Sequence, residues 1–276
     1  DYVKHILNNY HKNKINIILF MKQIAIYPSL ENKVVLITGG ASGIGENIVE
    51  HFITQKSKVA FLDIEEKLGS DLVTKLEKKY NLKATFIKCN LKKIDELKKS
   101  IKLIREKLGP ISILINNAAN DERHNLDSVT PEYWDDRMNI NLKHYFFATQ
   151  AVYKDMKEMG TGTIVNIGSF SWMLAQGGMP GYTTAKSAIM GLTRTLARDL
   201  GEFNIRVNCV VPGWIITERQ KRMWLTPEIE KKQLERQCIK RMLVPDDISK
   251  AVLFFASDQS SGCTAQNYIV DGGIVN

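Results

Sequence analysis

The chain has 276 residues, 44% hydrophobic and 25% charged, and a formal charge of +8. That composition fits an ordinary globular protein and allows one large α/β domain or two small ones. The lysines are scattered over helical segments rather than clustered, which speaks against a nucleic-acid groove and leaves an anionic cofactor or substrate compatible.

Residues 1–30 read as an N-terminal extension and residues 31–276 as a single folded domain. Asp1 to Phe20 begin without methionine, and their only apolar run, Ile15 to Phe20, contains Asn16. It falls far short of the roughly 20 residues needed to span a bilayer and lacks the form of a signal peptide. The expectation is that translation starts at Met21 and that residues 1–20 have no functional role. The four cysteines, Cys89, Cys209, Cys238 and Cys263, are far apart and form no C-x-x-C. Reduced thiols in a cytoplasmic protein with no membrane segment are expected.

From Lys33 onward, short β-branched runs alternate with helical periodicities. Strands are expected at Val34–Ile37, Val59–Leu62, Ala84–Lys88, Ile111–Ile115, Thr163–Ile167, Ile205–Val211 and Tyr268–Val270. Helices are expected from the glycine-rich turn to about Lys56, through Leu68–Leu76, over Ile94–Leu108 and Pro131–Met159, from Tyr182 to about Leu200, and through 217–257. Strands apolar on both faces, each followed by a helix, predict a doubly wound, Rossmann-type α/β fold. Its sheet is seven-stranded and parallel, with helices on both faces.

Two local patterns carry chemistry. The first is the turn Thr38-Gly39-Gly40-Ala41-Ser42-Gly43-Ile44-Gly45 between the first strand and its helix. Glycines there permit a tight turn and close approach to a phosphate, and the helix start offers unpaired N–H groups. Asp63 ends the next strand, where an acid can accept both hydroxyls of a ribose and repel a 2′-phosphate. Ile64-Glu65-Glu66 follow it, and Ser42 stands where a basic residue could have held that phosphate, so NAD is favoured over NADP.

The second pattern is Tyr182-x-x-x-Lys186, four apart and so on one helix face, with Ser169 just past the end of the Thr163–Ile167 strand. An ammonium beside a phenol favours the phenolate, so Lys186 is expected to bring the Tyr182 pKa from about 10 toward neutrality. The serine hydroxyl falls at the carboxyl-terminal sheet edge, where open α/β sheets bind ligands.

Thr38-Gly-x-x-x-Gly-Ile-Gly45, Asn116-Asn-Ala-Ala119, Asn141, Ser169, Tyr182-x-x-x-Lys186 and Pro212-Gly213 occur in the order and near the spacing of the short-chain dehydrogenase/reductase family, which residues 30–276 resemble. The resemblance implies that Tyr182 is the acid/base at the substrate oxygen and that Ser169 hydrogen-bonds that oxygen. It also implies that Lys186 binds the nicotinamide ribose, and that Asn141, at a helix distortion, orders a water behind the lysine. For the cofactor it implies Gly39, Ser42, Gly43, Ile44 and Gly45 at the pyrophosphate and Asp63 at the adenosine ribose. Asn90 and Leu91 fall at the adenine, Asn117 and Ala118 along the cofactor, and Pro212, Gly213, Ile215 and Thr217 at the carboxamide. The chain departs from the usual pattern at Ala119, where glycine is commoner, at Gly168 before Ser169, and at Asn90, where an acid is usual.

Substrate choice is expected from Asn120-Asp121-Glu122-Arg123-His124, from Ser171 and Trp172 after Ser169, and from Trp214 with a mobile helix near 218–238. A polar mouth carrying tryptophans suits a polyol or aldose better than an acyl chain. The segment from Asn120 to Trp134 also resembles bacterial NAD-dependent aldose 1-dehydrogenases. A 3-oxoacyl thioester or other ketone reductase is the alternative enzyme on this fold, and a non-catalytic NAD-binding sensor the alternative of another class. The family resemblance further implies a homotetramer. Ile189, Leu192 and Leu196 on the tyrosine-bearing helix are open between its interface and the core.

Overall fold

The computed structural model describes residues 24–275, so the expectations about Met21 and residues 1–20 lie outside the described residues. Seven strands form one sheet: β1 (Val34–Thr38), β2 (Lys58–Asp63), β3 (Thr85–Lys88), β4 (Ile113–Asn116), β5 (Gly162–Ile167), β6 (Ile205–Pro212) and β7 (Asn267–Val270). Every pairing is parallel and the spatial order is β3-β2-β1-β4-β5-β6-β7. Nine α-helices accompany them among the described residues: α1 (Gly43–Thr54), α2 (Glu66–Tyr80), α3 (Ile94–Leu108), α4 (Pro131–Met138), α5 (His144–Met159), α6 (Pro180–Leu200), α7 (Glu218–Met223), α8 (Pro227–Arg236) and α9 (Pro245–Ala256).

The period-2 alternation along the strands divides the interior into two layers. Val35, Ile37, Val59, Phe61, Ile113 and Ile115 point to the face covered by α1 and α9, through Ile48, Phe52, Ile248 and Val252. Val34, Leu36, Ala60, Leu62, Leu114 and Ile164 point to the opposite face, covered by α3, α5 and α6 through Leu97, Ile101, Val152, Met156 and Leu196. Strands buried on both sides read as continuous apolar runs, which is why the sequence shows no alternation in them. Ile189 and Leu196 are buried and Leu192 packs against both neighbouring clusters, so these positions of α6 belong to the core.

The chain order reverses direction across the sheet between β1 and β4, and a crevice opens there at the carboxyl ends of the strands. The expected continuous helix over Pro131–Met159 is interrupted. Between α4 and α5, Asn139–Lys143 form a π-helical turn centred on the buried Asn141. The expected helical stretch 217–257 resolves into α7, α8 and α9, because Thr217 and Thr226 cap new helices by accepting from the Gln220 and Ile229 N–H groups.

Candidate active site

A cavity of about 1110 Å³ runs along the strand ends from Asp63 to α8. One end is the glycine-rich turn. Gly39 has φ +68°, a backbone that L side chains rarely adopt, and a Cβ at Gly45 would sit 1.8 Å from the Gly39 carbonyl oxygen. Asn117 clamps this turn by donating from Nδ2 to the carbonyls of Thr38 (3.1 Å) and Gly39 (2.9 Å). Gly39, Ser42, Ile44 and Gly45 line the cavity, so the amino-terminal end of α1 faces it.

Asp63 lines the same end. Its carboxylate is fixed by accepting from the backbone N–H groups of Ala41 (2.9 Å) and Glu65 (3.1 Å). The nearby lysines are already paired: Lys88 with Glu66 and Lys92 with Asp136. Asn90, Leu91 and Ala118 complete the wall, and Asn90 spends one lone pair of its side-chain carbonyl on the Lys92 N–H (3.1 Å). A glycine cradle against a helix start, with an oriented carboxylate beyond it, fits a dinucleotide. The backbone amides would hold its pyrophosphate and Asp63 an adjacent ribose.

At the far end Ser169, Tyr182 and Lys186 line the cavity together, as their spacing predicts. The Ser169 side chain is near enough to the Tyr182 phenol to lower its pKa. Ser169 Oγ lies 3.0 Å from Ser171 Oγ and accepts from the Ser171 N–H at 3.2 Å, so the reactive serine is held from behind. Lys186, buried, donates from Nζ to the carbonyl of Ile167 (2.7 Å) and the hydroxyl of Tyr145 (3.1 Å). Its ammonium lies 5.7 Å from the Tyr182 ring centre.

Electrostatics here differ from the sequence expectation. Burial pushes the Tyr182 phenol up to about 12, opposed by Ser169 and by Arg123 and Arg219, with Asp121 pushing further up. Burial brings Lys186 down to about 7. Desolvation disfavours both charged forms and is the largest cause of both shifts. The group poised near neutrality is therefore the lysine.

Asn141 stands at the π turn, but its side chain is fully occupied. Oδ1 accepts from the Asn120 N–H (2.8 Å), and Nδ2 donates to the carbonyls of Asn120 (3.1 Å) and Arg137 (3.0 Å). It thereby fixes the base of the 120–124 loop. His144, one helical turn along, lies 3.0 Å from the Ala118 carbonyl through Nε2. Burial holds its imidazole down at about 4, so it stays neutral.

The mouth is built by the 120–124 loop, Trp214 and α7. Arg219 pairs with Asp121, and Gln220 bridges from Asp121 (3.0 Å) to the Trp214 indole N–H (2.8 Å). Arg123 stacks over Trp224 at 5.4 Å from the ring centre and donates to the Met179 sulfur. Pro212, Gly213, Ile215 and Thr217 line the floor; Gly43, expected at the pyrophosphate, does not line the cavity, and a Cβ on it would lie 3.3 Å from Thr217 Cγ2.

Two expected substrate residues do not line the cavity. His124 turns away from it: its ring meets the Tyr133 hydroxyl (3.1 Å) and the Gly181 N–H (3.4 Å), supporting the start of α6. Trp172 lies partly exposed outside it, because the turn after Phe170 directs Ser171 inward instead. Conversely Trp224, Arg219 and Gln220 line the cavity; the sequence pointed to the segment near 218–238 that holds them but to none of these side chains. The Trp224 indole N–H is buried without an acceptor among the described residues.

Residues 39–275 match a family model described as enoyl-(acyl carrier protein) reductase. The chain is 45% identical over 248 residues to the "Probable galactose dehydrogenase GalD" of Rhizobium meliloti (strain 1021), covering 90% of this chain and 97% of that protein. It is 44% identical over 249 residues to the D-xylose 1-dehydrogenase of Caulobacter vibrioides (strain NA1000 / CB15N), covering 90% and 98%. Among solved structures, a protein of Sinorhizobium meliloti 1021 assigned as a short-chain alcohol dehydrogenase superposes with a TM-score of 0.84. It is 26% identical, over 90% of this chain and 98% of that one.

Proposed function

The chain belongs to the short-chain dehydrogenase/reductase family, oxidoreductases that act on CH–OH groups with a nicotinamide cofactor, and from that premise we propose that it is an NAD-dependent sugar 1-dehydrogenase. Its substrate in this reading is an aldose, oxidised at the anomeric carbinol to a lactone. The observation that carries the reading is that Ser169, Tyr182 and Lys186 line the same cavity that the glycine turn and Asp63 line at the other end.

NAD rather than NADP is supported by the Asp63 carboxylate, fixed by the Ala41 and Glu65 N–H groups where it would accept from the ribose hydroxyls and repel a 2′-phosphate. Bound NAD would supply the two-electron acceptor for the hydride leaving the carbinol carbon. Everything else falls to the chain's own groups. Ser169 Oγ holds the substrate oxygen, and Tyr182 Oη takes its proton. Lys186, near its own midpoint at neutral pH, supplies the positive charge that makes the phenolate accessible. Because the Asn141 side chain is spent on Asn120 and Arg137, any part it has in proton relay runs through its main-chain carbonyl, which the π turn displaces from the regular helix pattern.

A sugar is supported by the mouth. The Arg219, Asp121 and Gln220 cluster presents hydrogen-bonding groups, and the Trp214 and Trp224 rings present apolar faces to sugar C–H groups. The rival acyl-thioester reductase would need a longer apolar groove. A homotetramer belongs to the same reading: Leu103 on α3, Phe146 on α5 and Tyr268 on the edge strand β7 are exposed and would be covered by further copies. So does a cytoplasmic location, consistent with four free cysteines. No helix among the described residues is long and apolar enough to cross a membrane.

The decisive variant is Tyr182→Phe, which keeps the ring and removes the acid/base. It should bind NAD as the unmodified chain does while losing roughly 10³-fold or more in turnover. Turnover within a few-fold of the unmodified chain would remove Tyr182 from the chemistry.

A further inference from the structure

The ammonium of Lys186 is enclosed by protein, yet no carboxylate pairs with it among the described residues. What meets it instead is a closed triangle of polar atoms. Lys186 Nζ donates to the Ile167 carbonyl at 2.7 Å and to Tyr145 Oη at 3.1 Å, and Tyr145 Oη donates to the same carbonyl at 3.0 Å. The carbonyl uses both lone pairs and the phenol uses its one proton, so Oη has only acceptor capacity left for Lys186. Nζ also lies 5.3 Å from the Tyr145 ring centre, close to its 5.7 Å from the Tyr182 ring centre.

The tyrosine is itself held without freedom. It is fully buried at the second position of α5, directly after the π turn. Its main-chain carbonyl lies 3.4 Å from Asn116 Nδ2, and that amide bonds to Asn166, which in turn bonds to Thr193 on α6. A bonded path thus ties the strand ends, the seat of the lysine and the helix that bears the lysine.

We infer that Tyr145 is a positioning residue for the reaction: its hydroxyl, with the Ile167 carbonyl, forms the two-acceptor seat that fixes the Lys186 ammonium beside Tyr182 and favours its charged form. The inference rests on the role given to Lys186 in the proposed dehydrogenase. The other titratable or charged groups that bear on this site are the Cys209 thiol from β6, Asp121 from the mouth, His144 beside Tyr145, and Tyr182. Burial holds the Cys209 thiol up at about 12 and raises the Tyr145 phenol, so both stay protonated, and His144 stays neutral. Asp121 is engaged by Arg219 and Gln220 at the mouth. The neutral oxygens of Tyr145 and Ile167 are therefore the nearest stabilisers the ammonium has.

Tyr145→Phe removes one acceptor and preserves the ring. In protein labelled with ¹⁵N at the lysine side chains, the Lys186 resonance, assigned by its loss in Lys186→Met, should titrate with proton affinity about tenfold weaker in the variant. In NADH-formation assays the same variant should lose about tenfold in kcat near neutrality, with the KM for the sugar little changed. The pH at which activity depends on the ammonium should move down in step with the resonance. Tyr145→Leu is read in the same way if the phenylalanine variant does not fold. An unchanged or higher Lys186 midpoint in a folded variant overturns the inference. The titration needs no turnover, so a failure of the dehydrogenase reading would show separately, as absence of NADH formation by the unmodified chain.

Discussion

The two ends of the catalytic half of the cavity solve opposite electrostatic problems. At the mouth, charge meets charge: Asp121 is engaged by Arg219 and Gln220. At the base, Lys186 is buried with neutral hydrogen-bond partners, Tyr182 is half-buried beside it, and desolvation moves each away from its charged form. Exposed pairs at the mouth contribute little to stability, typically below about 1 kcal/mol, and can rearrange around a ligand. An unpaired buried ammonium costs stability, and such a cost persists where the group has work to do. Chemistry is thus fixed at the base, and choice of substrate is left to the mouth.

Lys186→Met should separate the two ends most sharply. Activity should fall by about 10³-fold, while the melting temperature rises. The sign follows from linkage. The folded Lys186 pKa, about 7, lies below the ordinary 10.5, so between those values the unfolded chain binds more protons. Lys186 therefore contributes a stability that climbs as pH rises from 7 to 10.5, and is lost as pH falls through that window. Melting curves across it should show a climb in the unmodified chain that flattens in Lys186→Met. A variant less stable than the original at pH 7 would mean that the ammonium is well paired after all.

Removing the Asp63 carboxylate bears on the opposite end of the cavity and should leave the base untouched. Asp63→Ser is expected to reduce the preference for NAD over NADP by roughly 10–100-fold, measured as the ratio of kcat/KM values with the sugar saturating. No change in that ratio would assign the preference elsewhere.

At the mouth the effects should be smaller and confined to the sugar. Trp224→Ala, which removes an apolar face and an unpartnered indole N–H, should raise the sugar KM about tenfold and leave kcat within a few-fold. Arg219→Ala should do less, about two- to threefold in KM, because an exposed pair is all it breaks. If either variant lowered kcat as far as Lys186→Met does, the division between base and mouth would not hold.

The same division explains what could be read from the sequence. Ser169, Tyr182 and Lys186 were legible because a helix fixes residues four apart on one face and a strand end fixes the serine beside them; regular geometry carries the prediction. The seven strands were legible for the same reason, with ends displaced by one or two residues, as where Ile111–Ile115 became Ile113–Asn116. His124 and Trp172 were placed in the substrate pocket on sequence position alone, yet loop side chains go where tertiary partners draw them. His124 is drawn to Tyr133 and Gly181. Trp224 and Gln220 join the site only because Thr217 caps a short helix over the mouth. The raised Tyr182 pKa was illegible because desolvation depends on enclosure by many distant residues, whereas the i,i+4 lysine is visible locally. Tyr145 approaches Lys186 across 41 positions of sequence, which no local pattern encodes.

The most direct test of the central claim is the rise of NADH absorbance when the unmodified chain is mixed with NAD and, separately, with D-galactose, D-xylose, secondary alcohols and 3-hydroxyacyl thioesters. A signal with an aldose that exceeds the others, and that is weak when NADP replaces NAD, is the predicted result. NAD binding with no signal from any of them, or turnover confined to acyl thioesters with the phosphorylated cofactor, would contradict it.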